Sequence, residues 1–286
     1  MKAVYASDIH VGRRHIERLL QIARGTGAEA LIIGGDIVPY DISSKHAGGE
    51  ISAQAEYLQF EFIPLLKDFK RQSPDVKIYL DMANDDFIWG RRVLEEHDGM
   101  LFDLLHMKKH KLTDSMDIIG YMCVPPTPFM NKDWEKPDSA SLPFTDSKGA
   151  VLQGIVSRSG RREKRSIDIL SHDTIERDLE ALFSLIEGPF IFISHSPPYL
   201  TSLDELFSGE HVGSIAVRDF IARWAESGEL KASFHGHIHE SPFASQGIST
   251  KIKGAICVNP GQDSKLRCVA FDTEDVARTL ELLVGD

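Results

Sequence analysis

Cysteine is scarce in this chain: Cys123, Cys257 and Cys268 are the three in 286 residues, and no CxxC spacing occurs. An odd, scattered set forms neither a disulfide framework nor a zinc ribbon, and it suits a reducing compartment in which such side chains fill a core. Long apolar runs are missing too. No segment approaches the roughly eighteen consecutive apolar residues that a membrane span needs. The opening MKAVYASDIH reaches Asp8 before an apolar stretch of signal-peptide length can form. The expectation is a cytoplasmic protein with no membrane partner. Basic residues are outnumbered, 32 Lys and Arg against 43 Asp and Glu, for a formal charge of −11. That balance argues against nonspecific wrapping of nucleic acid, although a local basic patch could still hold phosphate.

A hydrophobic content of 42% is enough to fill a core. With no internal repeat and no low-complexity linker, the chain reads as one domain over 1–286. Short β-type runs end at Ser7, Gly34, Leu80, Ser194 and His235, and amphipathic segments at 13–24, about 52–71, 173–187 and 214–226 lie between them. Strands alternating with helices predict an α/β core with a parallel sheet component. Asp173 with Glu176 reads as a capping box for the helix carrying Leu179, Leu182, Phe183 and Ile186. After Phe243, KIKGAICVN, RCVAFDT and VARTLELLV read as antiparallel strands without helices, which predicts two stacked sheets flanked by helices.

From about 122 to 168 regularity fails, and an irregular insertion is expected. VPPTPFMNKDWEKPDSASLPF is rich in proline and aromatics, and RSGRREKR packs Arg158, Arg161, Arg162, Lys164 and Arg165 together. A structureless stretch of this length is a functional loop or a disordered one. The basic run reads as a solvated, flexible loop that could attract an anionic substrate or a nucleic acid.

The β-type runs end in polar residues of one kind: Asp8 and His10 in SDIH, Asp36 in GGD, Asn84 in AND, His195 in SHSPP, then His237 and His239 in GHIH. In α/β sheets, sites form beyond the carboxyl ends of strands, where such groups can converge. Carboxylates, imidazoles and one amide form a mixed N/O donor set that suits Mn, Fe or Zn better than Ca. The set is too large for one ion and about right for two. Each motif alone has a bland reading as a turn or a strand end; their joint occurrence after successive strands carries the weight. Gly34, Gly35 and Gly236 fit a close approach of backbone to metal or phosphate.

The series DIH, GGD, AND, SH and GHIH resembles the calcineurin-like metallophosphoesterases, whose usual pattern is D-x-H, G-D-x-x, G-N-H-D/E, G-H or S-H, and G-H-x-H. The resemblance runs from Ser7 to about Gly261, since NPG at 259–261 looks like the family's segment after the last motif. PPTPF and KDWE look similar to a branch of predicted cytoplasmic phosphoesterases. The resemblance implies a four-layer α-β-β-α sandwich with two stacked mixed β-sheets. It implies that Asp8, His10, Asp36 and His239 hold one divalent ion, while Asn84, His195 and His237 hold a second, with Asp36 bridging. It also implies phosphoester hydrolysis by a metal-bridging hydroxide, for which two close cations lower the pKa of a shared water and clamp the attacking and leaving oxygens. Asn84 would ligate through its carbonyl oxygen with its NH₂ facing a phosphate oxygen. Asn84, Asp85 and His195 are the expected catalytic residues.

One family residue is missing. The pattern has a histidine after the asparagine, near the leaving group, and this chain has Asp85. An ordinary aspartate is ionised at neutral pH and has no proton to give, and nearby cations favour the carboxylate further. Three readings follow: a hydrolase whose leaving group needs little protonation or receives it elsewhere, His46 being a candidate; a hydrolase in which Asp85 is an extra metal ligand or orients His10 or His195; or a noncatalytic metal-dependent binder of phosphate or nucleotide. Retention of every ligand candidate favours a hydrolase. An anionic Asp85 repels a dianion more than a monoanion, which tips the expected phosphoester substrate, with nucleotides among the candidates, towards diesters. Around the site, Arg13 and Arg14 could reach phosphate or lie solvated on a helix. Phe129, Trp134 and Phe144 could stack on a base or pin their loop. Tyr199 and His211 are candidate pocket walls.

Overall fold

Three apolar runs, β1 (Lys2–Ala6), β2 (Ala30–Ile33) and β3 (Lys77–Leu80), are buried over nearly their whole length, as central parallel strands covered on both faces must be. Residues 1–42, 49–139 and 150–285 are described by this computed structural model. Helix α1 (Arg13–Gly25) links β1 to β2. Helices α2 (Glu50–Tyr57) and α3 (Ile63–Gln72), joined through a π-helical turn at Leu58–Phe62, lead into β3. Pro64 follows that turn and has no N–H to continue the regular ladder, which accounts for the widening just before it. After the short helix α4 (Arg91–Glu95), β4 (Asp103–Leu104) extends the sheet beside β3.

The chain then crosses to a second sheet with β5 (Lys108–Thr113) and β6 (Met116–Tyr121). It leaves for a separate hairpin, β7 (Gln153–Arg158) and β8 (Arg161–Ser166). It returns through α5 (Ile175–Leu182), β9 (Phe190–Ser194), α6 (Ile215–Ser227) and β10 (Leu230–Phe234). The turn of helix α7 (Ser241–Ala244) precedes β11 (Ser249–Ile252) and β12 (Ala255–Val258). Then β13 (Leu266–Asp272), α8 (Val276–Thr279) and β14 (Glu281–Gly285) return to the first sheet. The strand orders are β14-β13-β1-β2-β3-β4 and β11-β12-β10-β9-β6-β5. Both sheets are mixed: in the first, β1 to β4 run parallel out to the β4 edge while β13 and β14 add antiparallel on the other side; in the second, four central parallel strands are closed at both edges by the antiparallel β11 and β5.

The sheets meet through aromatic rings. Phe234 of β10 lies 5.0 Å from Tyr5 of β1 and 4.5 Å from Phe271 of β13, centroid to centroid. Helix α1 covers the outer face of the first sheet, and α6, with Phe220 and Trp224 against Phe190 and Phe192, covers the second. This is the expected α/β sandwich with two stacked mixed sheets. The three cysteines are free and buried. Among the described residues no helix is long and apolar enough to cross a membrane.

Three local expectations are corrected. Helix α5 is capped by Thr174, whose hydroxyl accepts from the Arg177 N–H. Asp173 lies outside the helix, paired with Lys136, and Glu176 accepts from Ser139 rather than closing a capping box. VARTLELLV begins as the helical turn α8, so the C-terminal part is not all strand. The basic run is the turn and second strand of the β7–β8 hairpin, not a flexible loop. Trp134, by contrast, is 2% exposed and donates Nε1–H to the Asp86 carbonyl, so it pins its loop to the core as expected.

Within the same segment Lys132 and Glu135 are 0% and 1% exposed. Lys132 Nζ donates to Glu135 at 2.7 Å and to the Thr127 carbonyl at 2.9 Å, and Thr127 donates to Glu135 through both its N–H and its hydroxyl. Removing one partner of a buried pair strands the other charge, a loss of about 3–5 kcal/mol, whereas replacing both by apolar groups is near neutral. Lys132→Met is therefore expected to lose stability on that scale in urea unfolding, with Lys132→Met/Glu135→Leu recovering most of it. Equal losses in the two variants would show that the pair is not what matters.

Candidate metal centre

Each donor stands on a loop just past a strand end, and those loops are locally strained. Asp8 (φ 57°), Asp36 (φ 52°) and His237 (φ 65°) are all left-handed, a conformation that non-glycine residues adopt at a cost and that clusters at functional sites. Neighbouring glycines let the loops close. A Cβ on Gly35 (φ 108°) would lie 2.8 Å from His195 Nδ1, and one on Gly236 would lie 2.4 Å from Asp8 Oδ2. The loops also bond to one another: Asp8 N–H donates to the Gly35 carbonyl, His10 N–H to that of Asp36, Gly236 N–H to that of His195, and Asp85 N–H to Asp36 Oδ1 at 2.9 Å.

The donors converge. Asp36 Oδ2 lies 3.1 Å from His195 Nε2 and 3.6 Å from His10 Nδ1, so one carboxylate oxygen stands between two imidazoles. Asp8 Oδ1 is 3.3 Å from His239 Nε2 and 3.8 Å from His195 Nε2. Asn84 Oδ1 is 3.0 Å from His195 Nε2. The His237 ring stands 5.4 Å from that of His195, and the backbone N–H of His237 donates to both Asp8 oxygens. Three groupings could each hold an ion: Asp8, His10 and His239; Asp8, Asp36 and His195; His10, Asp36 and Asp85.

Hydrogen bonding leaves these donors wanting a cation. His10 is 0% exposed, and neither of its ring nitrogens has a hydrogen-bond partner. A buried imidazole in that state has lost hydration without compensation unless a metal takes a lone pair. His195 Nδ1 faces the Gly34 carbonyl at 2.8 Å. That contact places a proton on Nδ1 and turns the Nε2 lone pair towards Asp36 and Asn84, as a second partner commonly does for a ligating histidine.

Electrostatics agree. Burial disfavours charge on His195, but Asp36, through field and hydrogen bond, and then Asp8 outweigh it and raise its pKa to about 9. His10, lowered to about 4, and His237, lowered to about 3, stay neutral because burial dominates. Burial also opposes the charges of Asp8 and Asp36, yet the surrounding histidines hold both carboxyls below their ordinary range. Without metal, the centre thus recruits a proton onto His195 as its positive charge.

Asp85 lies at the lip of the same centre. Its Oδ2 accepts from the Tyr40 hydroxyl at 3.0 Å and stands 3.8 Å from His10 Nε2, and its Oδ1 accepts from Asn84 Nδ2 at 3.0 Å. Burial, then Asp36, raises its pKa to about 7 in the metal-free protein, so the ordinary ionisation assumed from sequence does not hold there. Other expected pocket residues stand elsewhere. Arg13 pairs with Glu61 at 2.6 Å, Arg14 is exposed, and His211 is bonded to Asp204 with Tyr199 beside it. Phe129 does line the cleft at the centre, a space of about 350 Å³, together with Leu206 and Val212. His46 and Phe144 lie outside the described residues.

Several supports carry no motif of their own. Asp86, 0% exposed, accepts from the N–H groups of Ile37, Val38 and Ala83 and so binds the loop after β2 to the loop after β3. Asn131 donates to the Asn84 carbonyl. Asn259 donates to the carbonyls of Gly236 and Ile238, and Gln262 to that of Ser7. The acidic residue after AND and the NPG segment are the only sequence signals for these roles.

The family model described as calcineurin-like phosphoesterase matches residues 1–241. Among solved structures, TT1561 of Thermus thermophilus is similar at a TM-score of 0.58 and 16% identity, over 99% of this chain and 98% of that one. A dimetal phosphatase from Danio rerio is similar at a TM-score of 0.50 and 9% identity, over 99% of this chain and 98% of that one. At these identities the likeness is one of fold. No curated protein matches the chain.

The metal-free protein has a predictable pH profile. His195, with a folded pKa raised to about 9 over an unfolded value near 6.5, stabilises fully below about pH 6.5, and that contribution is lost as pH rises through about 9. His10, His106, His235 and His237, lowered to about 3–4, destabilise as pH falls below about 6.5. On the alkaline side, thermal midpoints after chelation should fall as pH rises from about 6.5 through about 9. A flat alkaline limb would contradict the charge assigned to His195.

Proposed function

The chain belongs to the calcineurin-like phosphoesterases, and on that premise we propose that it is a dinuclear-metal phosphoester hydrolase that prefers diesters to monoesters. One observation supports the reading: Asp8, His10, Asp36, Asn84, His195 and His239 bring N/O donors together at the ends of parallel strands, with the His237 ring beside that of His195, and among them the fully buried His10 has both ring nitrogens unpartnered. The donor chemistry fits divalent Mn, Fe or Zn. Asp8, His10 and His239 would hold one ion and Asn84, His195 and His237 the other, with Asp36 serving both. Two cations, when bound, supply the charge that activates water at neutral pH and stabilises phosphoryl oxygens.

The remaining work falls to the chain itself. His195 is held by Gly34, and His237 is anchored through its backbone to Asp8, so neither needs to reorganise to present a lone pair. Asn84 offers Oδ1 to the centre, while its NH₂ group, bonded to Asp85, points to the lip where substrate enters. Where the family has an imidazole for the leaving group, this chain has a carboxylate held by Tyr40. Bound cations favour its ionised form, and a carboxylate there disfavours a dianionic monoester. Leaving groups that depart without a proton, such as phenolates, suit this arrangement. The cytoplasm, suggested by three free cysteines, is the proposed location.

Asp85 also motivates a second reading, a metal-dependent phosphate binder without turnover. Activity decides between them: protein reconstituted with Mn²⁺, Zn²⁺ or Fe²⁺ is assayed on bis-p-nitrophenyl phosphate and p-nitrophenyl phosphate, whose leaving groups need no acid. Hydrolysis that chelation abolishes, faster on the diester, is expected. Asp36→Asn, which removes the charge of the ligand assigned to both ions, should weaken metal affinity by more than the roughly 10–100-fold typical of losing an outer-shell partner. Asp85→His should raise turnover of alkyl esters by about 10²-fold, within the range of general acid catalysis. Metal retained without turnover on either ester would favour the binder.

A further inference from the structure

Two clefts meet at the centre. The first, about 350 Å³, is walled by Pro125, Pro126, Pro128, Phe129, Leu206 and Val212, with Tyr40, Asn84 and Asp85 at its polar end. The second, about 210 Å³, is lined by Val38, Pro39, Phe87, Met130 and Ile155, with Glu50, which is paired with Arg162, Gln54 and Asn131 as polar groups. Tyr40 and Asp85 border both, and of the consecutive residues Phe129 and Met130 the first lines the first cleft and the second lines the other. Phe129 is 52% exposed, Met130 58% and Tyr40 55%, a large apolar presence for surface side chains. Each space is many times the roughly 30 Å³ share of a water molecule.

The dividing ridge is built to stay in place. The Tyr40 hydroxyl donates to Asp85 Oδ2, Gln54 Nε2 donates to the Asp85 carbonyl, and Asn131 donates to the carbonyls of Asn84 and Asp86. Across from it, Phe129 N–H donates to Thr127 Oγ1, and Thr127 is tied to the buried Lys132–Glu135 pair. The Met130 carbonyl accepts from Ile155 of the hairpin. Pockets lined mainly by apolar side chains with a few fixed polar groups are those that take organic ligands.

We propose that the substrate is a phosphodiester carrying two organic groups that diverge at phosphorus: an apolar, flat group in the proline-walled cleft and a second group in the cleft beyond Tyr40. A monoester has one organic group and leaves the second cleft unfilled. The proposal rests on the hydrolase reading. Water adds to phosphorus and gives up a proton to solvent, the P–O bond to the group in the proline-walled cleft breaks with its electron pair staying on the departing oxygen, and that group leaves as a phenolate or similarly stable oxyanion. The product monoester keeps the second group.

The test compares bis-p-nitrophenyl phosphate with methyl p-nitrophenyl phosphate on the metal-loaded full chain; the leaving group is the same and only the retained group differs. After correction for uncatalysed rates, kcat/KM is expected to be about tenfold higher for the diaryl ester, the scale on which a filled apolar pocket discriminates. Ile155→Trp, which fills the second cleft, should bring the two esters within about twofold by lowering kcat/KM for the diaryl ester. Phe129→Ala should lower both. Calorimetric affinities for diphenyl phosphate and methyl phenyl phosphate supply a reading independent of turnover. Equal affinities for these two ligands would overturn the two-cleft proposal, whether or not the esters are hydrolysed. Absence of hydrolysis with a preserved tenfold affinity preference would instead overturn the hydrolase reading and leave the two-cleft assignment standing.

Discussion

Buried acceptor atoms that face one another repel unless positive charge lies between them. Asp8, Asp36, Asn84 and His195 are each at most 2% exposed, and the first three each place an acceptor within 4 Å of His195 Nε2. Much of the surrounding architecture holds that unfavourable arrangement in place. Parallel strands deliver the loops to one edge, left-handed residues and two close-packed glycines let them turn inward, and bonds between loops stop them from relaxing apart. In the metal-free protein a proton on His195 supplies the missing charge. A divalent cation is the better match because it takes several lone pairs at once.

The segment 122–168 belongs to the same arrangement. Its described part buttresses the loop after β3 through Asn131 and Trp134, and it fixes the cleft wall through Thr127, Glu135 and Lys132. Proline supplies wall segments that lose little conformational freedom on folding. A buried ion pair is an expensive way to gain stability, and here it serves to set the position of one loop beside the centre.

Much of the centre was legible because its signal is local. A donor directly after a β-type run stays at the strand end whatever the rest of the chain does, so Asp8, Asp36 and His195 could be placed from sequence. What could not be read depends on distant partners. Nothing in AND followed by Asp86 reveals that Asp86 will accept three N–H groups from two loops, and Trp134 looks like a surface aromatic until its core is known. Strand β8 escaped because RREKRS is exposed along nearly its whole length, which removes the two-residue hydrophobic period. The capping of α5 went to Thr174 because the residue with extended backbone dihedrals, and not the acidic neighbour, takes the cap.

Asp85 ties the centre to the substrate question. It is bonded to Tyr40, Asn84 and the Asp36 carboxylate, and it borders both clefts, so its charge reaches metal affinity, leaving-group chemistry and substrate shape together. The central claim, that the strand-end donors form one two-ion centre, is tested most directly by anomalous scattering from crystals loaded with Mn²⁺ or Zn²⁺. Two peaks are expected in each chain, one among Asp8, His10 and His239 and one among Asn84, His195 and His237, with Asp36 touching both. A single peak, or peaks away from these residues, would contradict the account.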